Sequence, residues 1–173
     1  MKKLLVVIDM QNDFIDGVLG SKQAIDIVDN VVNKIDSWEG PILATMDQHM
    51  EGTFQKTVEG KRLPMHCEFG GEGWRFNSKV KEAFDRHGSV YICQKPEKFA
   101  TSEIGSYIST MDIDSVEFVG LCTDICVISN VLMLRSINPY IDISVDSSCC
   151  AGINESSHNA ALSIMKECCV NIL

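Results

Sequence analysis

Short apolar runs alternate with segments of helical period along this chain, and that alternation limits the fold more than any other feature. Leu4 to Ile8 is continuously apolar and rich in β-branched residues, as a strand buried on both faces must be. Asp9 ends it. Ala24, Ile25, Val28, Val31, Val32 and Ile35 then recur at helical spacing. Further strands are predicted at 41–46, 90–93, 116–119, 141–145 and 170–173. Helices are predicted at 78–86, 102–111, 123–135 and 155–167. Strands separated by helices argue for an α/β domain with a mostly parallel sheet. No repeat or linker divides the 173 residues, which read as one domain over 1–173.

In parallel α/β sheets ligands bind beyond the carboxyl ends of the strands, where the strand order reverses. The polar residues of interest lie at those ends. Asp9 follows the first strand, Asp47 and His49 the second, Lys95 the third, and Cys126 the fourth. From Gln48 to about Asn77 there is no clean periodicity, and a loop of that length is usually functional.

Val119-Gly120-Leu121-Cys122-Thr123-Asp124-Ile125-Cys126-Val127 reads as a strand that turns at Gly120 into a helix capped by Thr123 or Asp124. Cys126 then sits in or beside the first helical turn, where the helix dipole favours a thiolate and free N–H groups can hold an oxyanion. The plainer alternative is a small buried hydrophobe in the core. Asp9, at the end of an apolar run, suits proton transfer, and Lys95 could supply a positive charge beside the thiol. A turn aspartate and a solvated lysine are the plain alternatives. Asp47-Gln48-His49, with His66 beyond a loop, offers oxygen and nitrogen ligands for a divalent zinc, manganese or iron ion, and Glu59 is a fourth candidate. His87 and His158 read as surface or capping histidines. The 147–152 segment reads as a turn that packs at a strand end, with a second thiol site as its alternative. Cys122 reads as a small residue lining the turn before Cys126, where a disulfide between the two would compete with catalysis.

Composition excludes several classes. A net charge of -9 disfavours nucleic acid and anionic membrane surfaces as partners. No apolar segment is long enough to span a bilayer, and Asp9 interrupts the only signal-like run, so a cytoplasmic protein is expected. The eight cysteines are irregularly spaced and form no C-x-x-C pair, which favours reduced thiols. Apolar helical faces such as 127–134 are compatible with a homo-oligomer.

Taken together, Val7-Ile8-Asp9-Met10-Gln11-Asn12-Asp13-Phe14, Asp47-x-His49, His66-Cys67-Glu68-Phe69-Gly70-Gly71-Glu72-Gly73 and Gly120-Leu121-Cys122-Thr123-Asp124-Ile125-Cys126-Val127 resemble the isochorismatase-like cysteine hydrolases, and their nicotinamidase branch in particular. The resemblance implies a three-layer fold, a six-stranded parallel sheet in order 3-2-1-4-5-6 between helices. It implies a triad of Asp9, Lys95 and Cys126, a cis peptide at Leu121–Cys122, and an oxyanion hole from the N–H groups of Cys122 and Cys126. It also implies metal ligands Asp47, His49 and His66, with Glu59 matching a ligand of some members, and Phe14 as a wall of the pocket. The expected activity is hydrolysis of a small amide, nicotinamide first, through a cysteine thioester. Another small amide or ureide is the nearest alternative, and a non-catalytic binding or thiol-redox protein is the alternative of another class. Two departures bear on this. Leu63 stands where nicotinamidases usually carry an aromatic residue over the pyridine ring. In Lys95-Pro96-Glu97-Lys98-Phe99-Ala100-Thr101, Lys98 takes the usual aromatic position unless Phe99 replaces it by a one-residue shift, and Lys98 becomes a rival for the catalytic lysine.

Overall fold

The computed structural model describes residues 2–173. Its centre is β1 (Lys3–Ile8), whose side chains alternate between two cores. Leu5 and Val7 join one apolar cluster, and Leu4, Val6 and Ile8 join the other. From Leu4 to Ile8 the strand is buried on both faces and needs this unbroken apolar run, because none of these positions looks at water.

Around β1 stand β2 (Ile42–Gln48), β3 (Val90–Pro96), β4 (Ser115–Leu121), β5 (Asp142–Ala151) and β6 (Asn171–Ile172). All pairings are parallel, in the order β3-β2-β1-β4-β5-β6. The expected sheet is therefore the observed one. The order reverses between β1 and β4, and the crevice beyond their carboxyl ends holds the site.

The helices are α1 (Asn12–Ile15), α2 (Lys22–Asp26), α3 (Val28–Asp36), α4 (Ser78–His87), α5 (Glu103–Met111), α6 (Ile128–Ile137) and α7 (Glu155–Glu167). Val28, Val31 and Ile35 of α3 and Val80, Ala83 and Phe84 of α4 pack into the cluster on one face of the sheet. Ile104 and Ile108 of α5, Val131 and Leu134 of α6, and Met165 of α7 pack into the other. Of the apolar face 127–134, Val127, Val131 and Leu134 are buried in the chain's own core, while Ile128, Leu132 and Met133 stay partly exposed. Helix ends follow capping chemistry. Asn77 accepts from Lys79 N–H and Asn154 from Ser157 N–H, while Gly88 closes α4 at φ 78°.

Several boundaries differ from expectation. The single helix foreseen over 24–35 is two, α2 and α3, meeting at Ile27. The short α1 follows Asp9 directly, in a stretch with too few residues to show a period. β3 runs on through Lys95, which pairs with Asp47 rather than lying in a loop. β3 is the sheet edge, and its exposed positions break the apolar run on which the sequence reading relied. β4 continues past Gly120 to Leu121. β5 continues through 147–151 after a register shift opposite Phe118 and Gly120, so this segment is strand rather than turn.

Gly120 does have a geometric reason. Its φ is +117°, and a Cβ there would lie 2.1 Å from the carbonyl oxygen of Ile8. Only glycine lets β4 pass this close to the end of β1.

Candidate active site

Asp9 follows β1 and is fully buried. Its Oδ1 accepts from Thr45 Oγ1 at 2.6 Å, and its Oδ2 accepts from Lys95 Nζ at 2.7 Å. The same ammonium lies 3.9 Å from Cys126 Sγ and donates to the Lys98 carbonyl at 3.3 Å. The structure therefore brings Asp9, Lys95 and Cys126 together. Lys98 contributes only its main chain, and its side chain is exposed.

Burial sets the electrostatics of this trio. It raises the pKa of Asp9 and pushes the Cys126 thiol well above its ordinary range, the Lys95 charge opposing both shifts. Burial alone would strip the proton from Lys95, but the charges of Asp9, Cys126 and Asp47 hold it on. One ammonium in a dry site supports one neighbouring anion. Moving a proton from Cys126 to Asp9 transfers the negative charge between them and leaves the net charge of the trio unchanged.

Cys126 lies in a π-helical turn, Thr123–Val127, between β4 and α6, following a cis peptide at Leu121–Cys122. Thr123 and Asp124 do not cap the helix as expected. Thr123 Oγ1 instead meets His158 Nδ1 at 2.8 Å, and the Asp124 carboxylate accepts from Ile153 N–H at 3.1 Å. These contacts tie the turn to α7 and to the β5–α7 connection. His158 is therefore a buttress of the turn that carries Cys126 and not merely a surface histidine.

At the end of β2 three side chains converge. His49 Nε2 lies 3.0 Å from Asp47 Oδ2 and 3.2 Å from His66 Nε2, and His66 Nε2 lies 3.5 Å from Asp47 Oδ2. Ligand bonds of about 2.0–2.2 Å to one divalent ion would set neighbouring donor atoms about 3–3.5 Å apart. The donor set thus fits a single ion, as its N and O chemistry also does. The outer ring nitrogens are fixed as well. His49 Nδ1 meets Glu97 Oε2 at 2.7 Å, and His66 Nδ1 meets the Pro64 carbonyl at 2.9 Å. An acceptor on Nδ1 keeps the proton there and leaves the Nε2 lone pair facing inward.

Burial penalises the charge on Asp47, yet the His49 and His66 rings beside it and the Lys95 charge hold its carboxyl well below the usual range. Burial likewise works against the His49 cation, but Asp47 and Glu97 push its pKa up to about 8. Glu59 stands at the cluster's edge, its Oε1 3.6 Å from His66 Nε2.

The sequence reading missed the groups that hold these residues in place. Gln11 donates to the Asp47 carbonyl at 2.9 Å and accepts from Asp47 N–H at 2.7 Å, which fixes the ligand's backbone. Phe54 packs at a tilt against His49 with ring centroids 4.3 Å apart. Asn130, on α6, donates to the carbonyls of Cys126 and Phe99 and accepts from Thr101 N–H. Glu97 carried a signal, since it lies two residues from Lys95, but nothing in the sequence aimed it at His49.

Between the thiol and the ligand cluster lies a cavity of about 220 Å³. Phe14, Leu63, Phe99, Leu121, Ile125 and Ile153 give it apolar walls, while Cys126, Asp47, Glu59 and His66 supply its polar groups. Phe14 packs edge-on against His66. Phe99 lines the cavity, so it is Phe99 that occupies the aromatic place on the lysine loop. The volume suits a small molecule presenting one end to sulfur and the other to the ligand cluster.

Comparison with known proteins agrees with this geometry. The model of the isochorismatase domain matches residues 3–173. The uncharacterized isochorismatase family protein PncA of Bacillus subtilis (strain 168) is 28% identical over 174 residues, spanning 94% of this chain and 93% of that protein. The crystal structure of the nicotinamidase/pyrazinamidase PncA from Bacillus subtilis superposes with a TM-score of 0.88 at 24% identity, covering 99% of both chains. The pyrazinamidase of Pyrococcus horikoshii in complex with zinc superposes with a TM-score of 0.86 at 22% identity, covering 100% of this chain and 99% of that one.

Proposed function

The chain belongs to the isochorismatase family, and on that premise we propose that it is a cysteine amidohydrolase that cleaves the C–N bond of a small amide. The observation that carries the reading is the Lys95 ammonium, 2.7 Å from Asp9 Oδ2 and 3.9 Å from Cys126 Sγ, beside a cavity with largely apolar walls. Nicotinamide, giving nicotinate and ammonia, is the first substrate to test, supported by the nicotinamidase and pyrazinamidase names of the structural relatives.

In this mechanism Asp9 takes the proton of Cys126 as the sulfur attacks the amide carbonyl. The new C–S bond leaves a negative oxygen, which the N–H groups of Cys122 and Cys126 hold. As the oxyanion collapses the C–N bond breaks, and Asp9 returns its proton to the departing amine, which leaves as ammonia. Asp9 then takes a proton from water while the hydroxide oxygen attacks the thioester. The C–S bond breaks, the acid departs, and the proton restores the Cys126 thiol. Lys95 keeps its charge throughout and stabilises whichever partner is the anion.

Asp47, His49 and His66, with Glu59 beside them, are the residues that would hold a divalent ion. When bound, the ion supplies a Lewis-acidic anchor for a heteroatom of the substrate. Phe14, Phe99 and Leu63 would enclose the remainder of the molecule. Leu63 in place of an aromatic residue supports a second reading within the same chemistry, in which another small amide or ureide is preferred.

Ammonia release from a panel of amides, by protein with and without chelator, tests the proposal. Release from nicotinamide that falls on chelation is the expected result. Release only from another amide moves the substrate and keeps the mechanism. Full turnover by Cys126→Ala would overturn the mechanism altogether.

A further inference from the structure

We propose that Glu97 is a positioning residue that links ion binding at Asp47, His49 and His66 to the placement of the Lys95 loop. The inference rests on the reading of these three residues as ion ligands, and it adds a function that neither triad nor ligand set supplies.

Glu97 is held at four points. Its Oε2 accepts from His49 Nδ1 at 2.7 Å, and its Oε1 accepts from Thr53 Oγ1 at 2.9 Å and from Met50 N–H at 3.4 Å. Its own N–H donates to the Gln48 carbonyl at 3.0 Å. It adopts φ +55°, a left-handed conformation in which a glutamate is uncommon and which the surrounding bonds must maintain. Two residues earlier, Lys95 reaches Asp9 and Cys126. Pro96 stands between them with a fixed φ. A three-residue segment therefore has one end in the nucleophile trio and the other on a ligand imidazole.

Coupling between these ends has a direct physical origin. Ligation at Nε2 draws electron density from the ring and makes Nδ1–H a better donor. A carboxylate accepting that proton makes Nε2 a better ligand. The two effects are one interaction seen from either end, so whatever factor the ion adds to the Glu97 contact, Glu97 adds to ion affinity. His49 is wholly enclosed, while the Glu97 side chain keeps about a quarter of its surface (26%) exposed. Its replacement therefore removes the contact without hollowing the core.

The test uses the full chain stripped by chelator and titrated with zinc against a chromophoric chelator, as wild type, Glu97→Gln and Glu97→Ala. Glu97→Ala should bind zinc roughly 10- to 100-fold more weakly. Glu97→Gln, which keeps an acceptor but not its charge, should fall between. Hydrogen exchange of the 95–101 segment should slow on adding zinc to the wild type and not on adding it to Glu97→Ala. Melting temperatures measured in chelator separate this from a purely structural role, which would lower stability in both variants and leave zinc affinity alone. Wild-type zinc affinity in Glu97→Ala overturns the proposal while the ion site stands. Failure of the wild type to bind zinc overturns the ion site, and the proposal with it.

Discussion

Lys95 and Asp9 form an ion pair, Nζ to Oδ2 at 2.7 Å, in which neither side chain has any exposed surface. Such a pair is worth little against an apolar replacement of both partners, but removing one partner strands a charge in a dry site. Lys95→Met should therefore lose turnover and also cost about 3–5 kcal/mol of stability in urea titration. Asp9→Asn should lower kcat about 10²- to 10⁴-fold, as expected for a general acid–base group. The double variant should regain part of the stability and none of the activity, a coupling that a double-mutant cycle measures directly. Lys98→Ala, at an exposed side chain, should stay within about 0.5 kcal/mol of wild type in stability and keep its turnover. Equal losses in Lys98→Ala and Lys95→Met would sink the assignment of the lysine.

The shared negative charge also predicts a pH profile. The reactive form carries one proton on the Asp9–Cys126 pair. Below it, Asp9 takes up a second proton, and because burial raises its pKa from 3.8, the acid limb of kcat/KM should lie above the range of a free carboxylate. Above it the last proton leaves, and because burial pushes Cys126 well above 9.0, the alkaline limb should lie above that of an ordinary thiol. Both limbs belong to the pair rather than to either residue. A profile that rises through pH 8–9, as a simple thiol would, contradicts the shared-proton site.

Much of this was legible because the candidate site residues follow strands. Asp9, Asp47, His49 and Cys126 each lie at the end of an apolar run, and parallel pairing brings such ends to one edge of the sheet. The sheet order came with the family motifs around Asp9 and Cys126. The unread features depend on what is packed between segments far apart in sequence. Nothing near Glu97 announces that it meets His49, 48 positions away, and Asn130 resembles any polar helix residue until Phe99 and Thr101 are beside it. Lys95 reads as a loop residue in the sequence because an edge strand tolerates polar residues that a central strand does not. The helix start was misjudged at Thr123 and Asp124 because their oxygens found distant partners, His158 and Ile153, instead of their own turn.

Substrate enclosure offers a graded test. Phe99 lines the cavity, and Leu63 stands on its wall with no ring to stack on a planar ligand. Leu63→Phe should lower KM for an aromatic amide by the worth of one aromatic contact, about 0.5–1.5 kcal/mol or roughly 2- to 12-fold, with little change in kcat. Phe99→Ala should raise KM by a similar factor. If Leu63→Phe instead raises KM for nicotinamide and leaves it unchanged for a small aliphatic amide, the preferred substrate is the non-aromatic one.

Asn130 gives the last prediction, because it ties the turn that carries Cys126 to the loop that follows Lys95. It is fully buried, donates to the Cys126 carbonyl at 2.7 Å and the Phe99 carbonyl at 2.9 Å, and accepts from Thr101 N–H at 3.0 Å. Asn130→Leu matches the side chain in size but takes the side-chain partner away from three backbone groups at a buried position. The expected loss is about 1–3 kcal/mol of stability, read from the urea midpoint. Activity should fall further than stability requires, because the carbonyl released on one side belongs to the nucleophile and the loop released on the other carries Phe99 behind Lys95. A displaced nucleophile lowers kcat, since reaction needs the attacking atom held in line, while a loosened Phe99 raises KM. Asn130→Asp keeps the acceptor for Thr101 and loses both donors, so it should retain the loop better than the nucleophile and show the kcat defect with a smaller change in KM. If both variants are merely less stable, with unchanged kcat and KM in the folded fraction, Asn130 is a packing residue and the two halves are aligned by the sheet alone.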